Sequence, residues 1–538
     1  MSAPTHDHTP PTGLDALNYP QLTEKGPTTD EYTTHTADGF ILASEEEHQI
    51  QPSATPTLVG CGPSDQEKGI KDYKIVTFEE NDPEDPKNMS LSVKWFKTML
   101  VSFDCFIVAL GSSLVVMDFE DAARDLHTNL DVMHLTIAVF VFGFGIGPLI
   151  LAPLSELYGR APILKLSMFL YFVFTFPSAF AQNAATMVVG RALAGLGASA
   201  PVTVVAGVIT DLWHTPDRGL PMAIFSGTLF AGPVVGPVVA GYLVSVGWRW
   251  PYYLLLIITG VSFLLNLFFL KETYAPVILK KRAHKLIKET GDETFCTEQE
   301  RNKRPITEIL FESLVRPVQL MLTEPIIVLF TMYLCLIYGL LYYLFFAIPI
   351  VFQNIHHFSV GSTGLSFIPV LLGMGVVYAT VIPLQGKYYA RRTVECVEKG
   401  IPTPPEARLP SMMFGSIILP AGFFIFAFTS YEHVHWIGAA FGCGFLGFSI
   451  IAIYIGANTY LVDSYPKYAS SCMASKTLFT RLVGGAFPMF VDRFYNSAAG
   501  PRWASAIMGF ISIMMMPIPF LFYKYGPAIR ARSKRSSE

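Results

Sequence analysis

GTLFAGPVVGPVVAGYL, Gly227–Leu243, carries no charged residue and sets two prolines inside an otherwise helical apolar run. A proline within a helix removes a backbone donor and clashes with the turn before it. In a bilayer, neighbouring helices re-satisfy such a break. Gly232, Gly236 and Gly241 stand beside Pro233 and Pro237. Small residues at this spacing let two helix backbones approach closely. The stretch therefore reads as a kinked, tightly packed membrane helix on which two helical bundles can rock.

The rest of the 538 residues has the same character. Apolar residues make up 51%, charged residues 15%, and the mean hydropathy is +0.42. A soluble domain carries roughly 25% charge. These figures exclude a disordered chain and argue against a soluble enzyme. A helix needs about 20 mainly apolar residues to cross a bilayer. Twelve runs qualify, near 97–117, 132–154, 162–181, 185–209, 221–246, 250–270, 325–352, 362–384, 410–430, 435–461, 470–494 and 503–524. The fold class expected is an all-α membrane protein of twelve transmembrane helices in two six-helix bundles.

Loop charge orients the spans. Ten Lys/Arg fall in 271–324, five in 385–409 and four at 530–535, all on one face of a twelve-span arrangement. The opposite face has Arg124, Arg249, Arg502 and Arg493 beside an acidic first loop. Both termini and the middle loop are expected to be cytoplasmic. The expected organisation is a disordered acidic tail at 1–94, bundles at 95–270 and 325–525, a linker at 271–324 and a basic tail at 526–538. The tail accounts for the net charge. Residues 1–94 hold 17 acids and 6 bases, so −11, and the remainder holds 25 and 32, so +7. The linker opens with KETYAPVILKKRAHKLIKETG from Lys271, readable as an amphipathic helix with a basic face towards headgroups or as a simple solvated helix.

Several chemistries find no support. No GxxxxGK[ST] loop, CxxC pair or HExxH is present, and GCGFLG at Gly442–Gly447 lies inside an apolar run with no strand before it. The basic linker lacks interleaved aromatics, so nucleic acid is not an expected partner. No enzyme activity, metal or cofactor is expected.

Ionisable residues inside spans are costly and usually face a cavity or a partner. Asp104 in the first span and Arg191 in the fourth are the proton-coupling or substrate candidates, each with a structural reading beside it. Asp211, Asp463, Lys476 and Arg481 read as span-end residues that snorkel or pair. Asn458 can donate to a ligand or bridge helices. Tyr338 and Tyr342, in an aromatic seventh span, are candidates for a cavity wall for bulky amphipathic molecules.

GPVVGPVVAGYL resembles the antiporter motif of the major facilitator superfamily, with Pro237 in place of a glycine. APLSELYGRAP, Ala152–Pro162, resembles the family's GxLaDRxGRk gating motif, with Glu156, Gly159 and Arg160 as its acid, glycine and arginine. Ala152 and Leu157 depart from the motif's leading glycine and first basic residue. VVGRALAGLGASA resembles RxxqGxgaA, with Arg191 as the arginine implicated in proton coupling. DPEDPKNMSLSVKW and the linker are similar to fungal twelve-span drug:proton antiporters.

The resemblance implies a monomeric, multi-pass plasma-membrane exporter driven by the proton gradient. Its partners would be protons, the lipid bilayer and a small organic substrate, either a secondary metabolite or a xenobiotic. Glu156 and Arg160 would latch the outward-facing state. Uptake of nutrients or sugars by the same fold, and a non-transporting receptor, are the alternatives.

Overall fold

A computed structural model describes residues 74–79, 81–301, 305–465, 468–495, 500–531 and 533. The acidic tail up to residue 73 lies outside the described residues. Those described are almost entirely helical, with one two-stranded sheet.

Twelve helical crossings follow one another, numbered here as spans in chain order. Ten meet the length and hydropathy needed to cross a membrane: Leu130–Tyr158, Arg160–Ala179, Ala184–Leu212, Gly219–Leu243, Trp250–Phe269, Pro325–Ile355, Val360–Glu398, Pro410–Thr429, Ile437–Ser464 and Gly500–Arg530. These are spans 2 to 10 and span 12, with the linker between spans 6 and 7. Span 1, Leu91–Ser113, contains Lys94, Lys97 and Asp104. Span 11, Ala469–Ala486 continued by Pro488–Tyr495, contains Lys476 and Arg481. Charged side chains, Lys97, Asp104, Lys476 and Arg481 among them buried, lower the hydropathy of these two helices.

Local sequence sets the helix ends. Asn129, Asn183 and Ser359 accept hydrogen bonds from the N–H groups of Val132, Thr186 and Ser362, capping spans 2, 4 and 8. Pro325 and Pro410 open spans 7 and 9, where a missing N–H costs nothing. Span 5 runs unbroken through Pro233 and Pro237.

Spans 1–6 and 7–12 form two halves. Across the seam, span 2 packs on span 11 and span 5 on span 8. A methyl group on Gly232 would lie 2.8 Å from Leu110 N and Phe106 O of span 1. One on Gly241 would lie 2.8 Å from Val360 O of span 8. The glycine stripe thus serves two contacts. Gly232 and Gly236 join spans 5 and 1 within a half, and Gly241 joins the halves.

The boundaries expected at the two ends shift. Residues 74–94 belong to the folded body. β1, Lys74–Ile75, pairs in parallel with β2, Phe295–Cys296, of the linker, and Lys74 Nζ meets Asp292 at 2.8 Å. Asp82 pairs with Arg282 of the linker helix Ala275–Thr290. Backbone pairing and opposite charge hold a polar segment that has too few aliphatics to form a core. The linker helix therefore turns part of its basic face to protein. At the other end, Arg530 binds the Glu406 carboxylate with two bonds of 3.0 and 2.8 Å, and Ser533 Oγ donates to Glu324 at 2.5 Å. These two residues are held by the second half and are not part of a free tail.

Candidate substrate site between the two halves

On the face away from the linker, the halves meet. Asp131 of span 2 pairs with Arg493 of span 11 at 2.6 Å. His134 of span 2 packs edge-on against Phe346 of span 7, ring centres 4.9 Å apart. On the linker face, a cleft of about 420 Å³ opens between spans 5, 8, 9 and 10, lined by Arg218, Ser226, Tyr378, Gln385, Arg408 and Thr459 among others.

Between the two faces, at mid-depth, lies a pocket of about 10 Å³, room for one water, lined by Ala109, Ser112, Phe144, Leu229, Phe230, Pro233, Tyr338, Leu341 and Arg481. It is bounded by spans 1, 2 and 5 of the first half and spans 7 and 11 of the second. Arg481 is 6% exposed. Its guanidinium sits 4.0 Å from the ring centre of Tyr338 and 4.7 Å from that of Phe144. Five residues earlier on the same helix, Lys476 Nζ donates to Asn458 Oδ1 at 2.9 Å and to Tyr454 OH at 3.2 Å. The Tyr454 ring packs edge-on against Phe230 at 4.7 Å, beside the pocket.

These placements correct the span-end reading of Lys476 and Arg481. Both are buried, and Arg481 stands about halfway along span 11. That mid-run position was the available signal. Asn458 bridges spans 10 and 11 as the acceptor for Lys476. Tyr338 reaches the pocket, and its hydroxyl lies 3.3 Å from that of Tyr342. Tyr343 instead turns into the second half, to Tyr495 at 2.6 Å and Ser505 at 2.9 Å.

Asp104 and Arg191 are not brought together. Asp104 is fully buried inside the first half, where its carboxylate accepts from Ser262 Oγ and from Asn266 Nδ2 at 2.8 and 2.9 Å, tying span 1 to span 6. Arg191 donates from both Nη atoms to Gly111 O at 3.0 Å and lies 4.2 Å from the Phe140 ring centre. Gly111 is seven residues beyond Asp104, about 10 Å along a helix. Neither residue lines the pocket.

The gating motif forms a compact polar site on the linker face. Arg160 opens span 3 and reaches Asp211 of span 4 at 3.4 Å, Ser155 Oγ at 2.8 Å and the Tyr274 ring at 4.7 Å. Glu156 is more exposed and lies 3.8 Å from Arg160. The buried partner of the arginine is therefore Asp211, read from sequence only as a span-end acid. Gly159 has φ +107°, and a Cβ there would strike the Glu272 carboxylate. Glu272, from the linker, accepts the N–H of Arg160 at 2.9 Å and of Ala161 at 3.3 Å, capping span 3. The second half repeats the arrangement. Arg408, just before span 9, binds Asp463 of span 10 at 2.8 Å and stacks on Tyr389 at 3.3 Å. Such correspondence between halves is the mark of internal repeats in transporters.

Comparison with known proteins agrees with this architecture. The chain is 39% identical to the MFS-type transporter paaT of Penicillium rubens, over 97% of this chain and 94% of that one. It is 36% identical to the efflux pump FUBT of Fusarium oxysporum, over 85% and 77%. It is 35% identical to the citrinin biosynthesis cluster MFS transporter mrr1 of Monascus ruber, over 88% and 95%. Among solved structures, the partially occluded, inward-open xylose transporter XylE from E. coli shares the fold, with a TM-score of 0.57, 16% identity, and 81% and 98% coverage. Residues 101–489 match the family model of the Major Facilitator Superfamily. The chain is a multi-pass membrane transporter, not an enzyme, and belongs to that superfamily.

Proposed function

We propose that this transporter exports a small organic molecule, a secondary metabolite or a xenobiotic, by alternating access in exchange for protons. The observation that carries the reading is the mid-depth pocket. It sits on the seam between the halves, with Asp131–Arg493 and Gly241–Val360 on one side of it and, on the linker face, a separate cleft between spans 5 and 8. A substrate entering from the linker face reaches residues of both halves. Rocking about spans 2, 5, 8 and 11 would then exchange which face is open. Relatives named as an efflux pump and as a biosynthesis-cluster transporter support the outward direction. The excess of Lys/Arg on the linker face supports a cytoplasmic assignment for that face and for both termini, in a monomer at the plasma membrane.

Asp104 is the proposed proton carrier. It is a fully buried carboxylate whose hydrogen bonds join spans 1 and 6, so its charge state bears on how these helices pack. Arg160, Asp211 and Glu156 are proposed to act as the gate on the linker face.

The test is metabolite profiling of the medium from cells that lack or overproduce the protein, at two external pH values. Export predicts compounds that rise outside with overproduction, more so at acidic external pH. Depletion of compounds from the medium on overproduction would instead establish uptake. An Asp104→Asn variant with unchanged pH-dependent export would remove Asp104 from the mechanism.

A further inference from the structure

The pocket carries a buried positive charge and no acid in its lining. Arg481 contacts two aromatic rings and, among the described residues, no carboxylate. Lys476 is held, among the described residues, by an amide oxygen and a phenol. No Asp or Glu lines the pocket. The lining of the cleft also contains no acid. Of its two arginines, Arg408 is matched by Asp463. Arg218 donates to the carbonyls of Trp213 at 2.9 Å and Thr210 at 3.0 Å, and its charge also reaches Asp211. Asp104, the acid within span 1, is committed to Ser262 and Asn266 away from the pocket.

A desolvated cation without a counter-charge is costly, and aromatic faces offset only part of that cost. A negatively charged ligand would supply the missing partner. Guanidinium presents a planar fork of donors that matches a carboxylate. The other walls, Phe144, Leu229, Phe230, Pro233 and Leu341, offer apolar surface only.

We infer that the substrate is an organic anion, an aromatic or otherwise apolar carboxylate whose charged end meets Arg481 and whose body lies against Phe144, Phe230 and Tyr338 once the halves part to widen the pocket. This rests on reading the pocket as the site of the transported molecule. Span 11 supplies the cations and spans 1, 2 and 5 the opposing walls, so an anion bound here would bring the two halves together.

The test is equilibrium binding to the purified full-length protein at neutral pH. The probes are naphthoate, its neutral counterpart naphthamide and the cation naphthylmethylamine. Naphthoate is expected to bind, and the amide and amine at least about tenfold more weakly, the value of one charge-assisted hydrogen bond. Arg481→Gln should weaken naphthoate by a similar factor and leave the amide unchanged. Arg481→Lys, which keeps the charge, should retain part of the binding. Should Arg481→Gln not fold, Lys476→Gln and the ranking of the three probes carry the test. Equal binding of amide or amine, full naphthoate affinity in Arg481→Gln, or no naphthoate binding at millimolar concentration would overturn the inference. Binding needs no turnover. A bound but untransported naphthoate would therefore count against export and leave the anion site standing.

Discussion

The guanidinium of Arg481 lies 4.0 Å from the ring centre of Tyr338, and Phe144 of the opposite half stands 4.7 Å away on the same cation. One charge thus touches both halves of the transporter at the depth where they meet. Its cost of burial is shared by two rings, each contributing about 0.5–2 kcal/mol. Tyr338→Phe keeps the ring and should leave naphthoate affinity within about twofold of wild type. Tyr338→Ala removes it and should lower affinity by several-fold to about tenfold. Titration of the two variants with the same ligand checks both expectations.

Close packing along span 5 gives a stability prediction. A Cβ on Gly232 would press on the backbone of span 1, which has nowhere to move, whereas Gly375 has open space around it. Gly232→Ala should destabilise the protein by about 1–3 kcal/mol and lower its melting temperature in detergent. Gly375→Ala should stay close to wild type.

The fold was legible because hydropathy and loop charge are properties of long stretches, and the spans fall within a few residues of where the apolar runs place them. Span 8 is the exception. It continues as helix to Glu398, beyond the expected 384, since an amphipathic helix can extend into water. The site was less legible. Asp104 and Arg191 stood out as charges in apolar runs, yet each is bonded within its own half, Arg191 with its Nε left unpartnered. Asp211 lies 51 residues from Arg160 in sequence, and Glu156 one turn away, so spacing points only to Glu156, the more exposed of the arginine's two acidic partners. Glu272 and Tyr274 reach the gate from the linker, which no local pattern announces.

The gate can be dissected by comparing its two acids. Asp211 is mostly buried against Arg160, while Glu156 is largely exposed. An exposed pair contributes about 0–1 kcal/mol, whereas breaking a buried one leaves a charge unpaired. Asp211→Asn should reduce transport rate about tenfold or more, and Glu156→Gln by less than about threefold. Initial rates in vesicles from the same expression system separate the two. Equal effects would restore Glu156 to the main role.

Docking of the segment before span 1 has a defined pH dependence. Burial of Asp82 opposes its charge, but the Glu84 N–H and the Arg282 guanidinium outweigh this and hold its carboxyl below the ordinary value. A depressed value in the docked state means the contribution is fully present above the ordinary carboxylate range, about 3.9. It is lost only as pH falls through the lower, docked value. Hydrogen exchange at 81–89 should therefore be unchanged between about pH 5 and pH 8, after correction for the intrinsic rate. Asp82→Asn should raise exchange in the same segment at neutral pH.

The most direct measurement is flux through the purified full-length protein in liposomes that contain no other transporter. With naphthoate outside and the lumen made acidic, the molecules inserted with the linker face outward should accumulate naphthoate against its gradient. Collapse of the pH difference should abolish that accumulation, and Arg481→Gln should reduce it about tenfold. Accumulation that is indifferent to the pH gradient, or that requires the gradient in the reverse direction, would contradict proton-driven export.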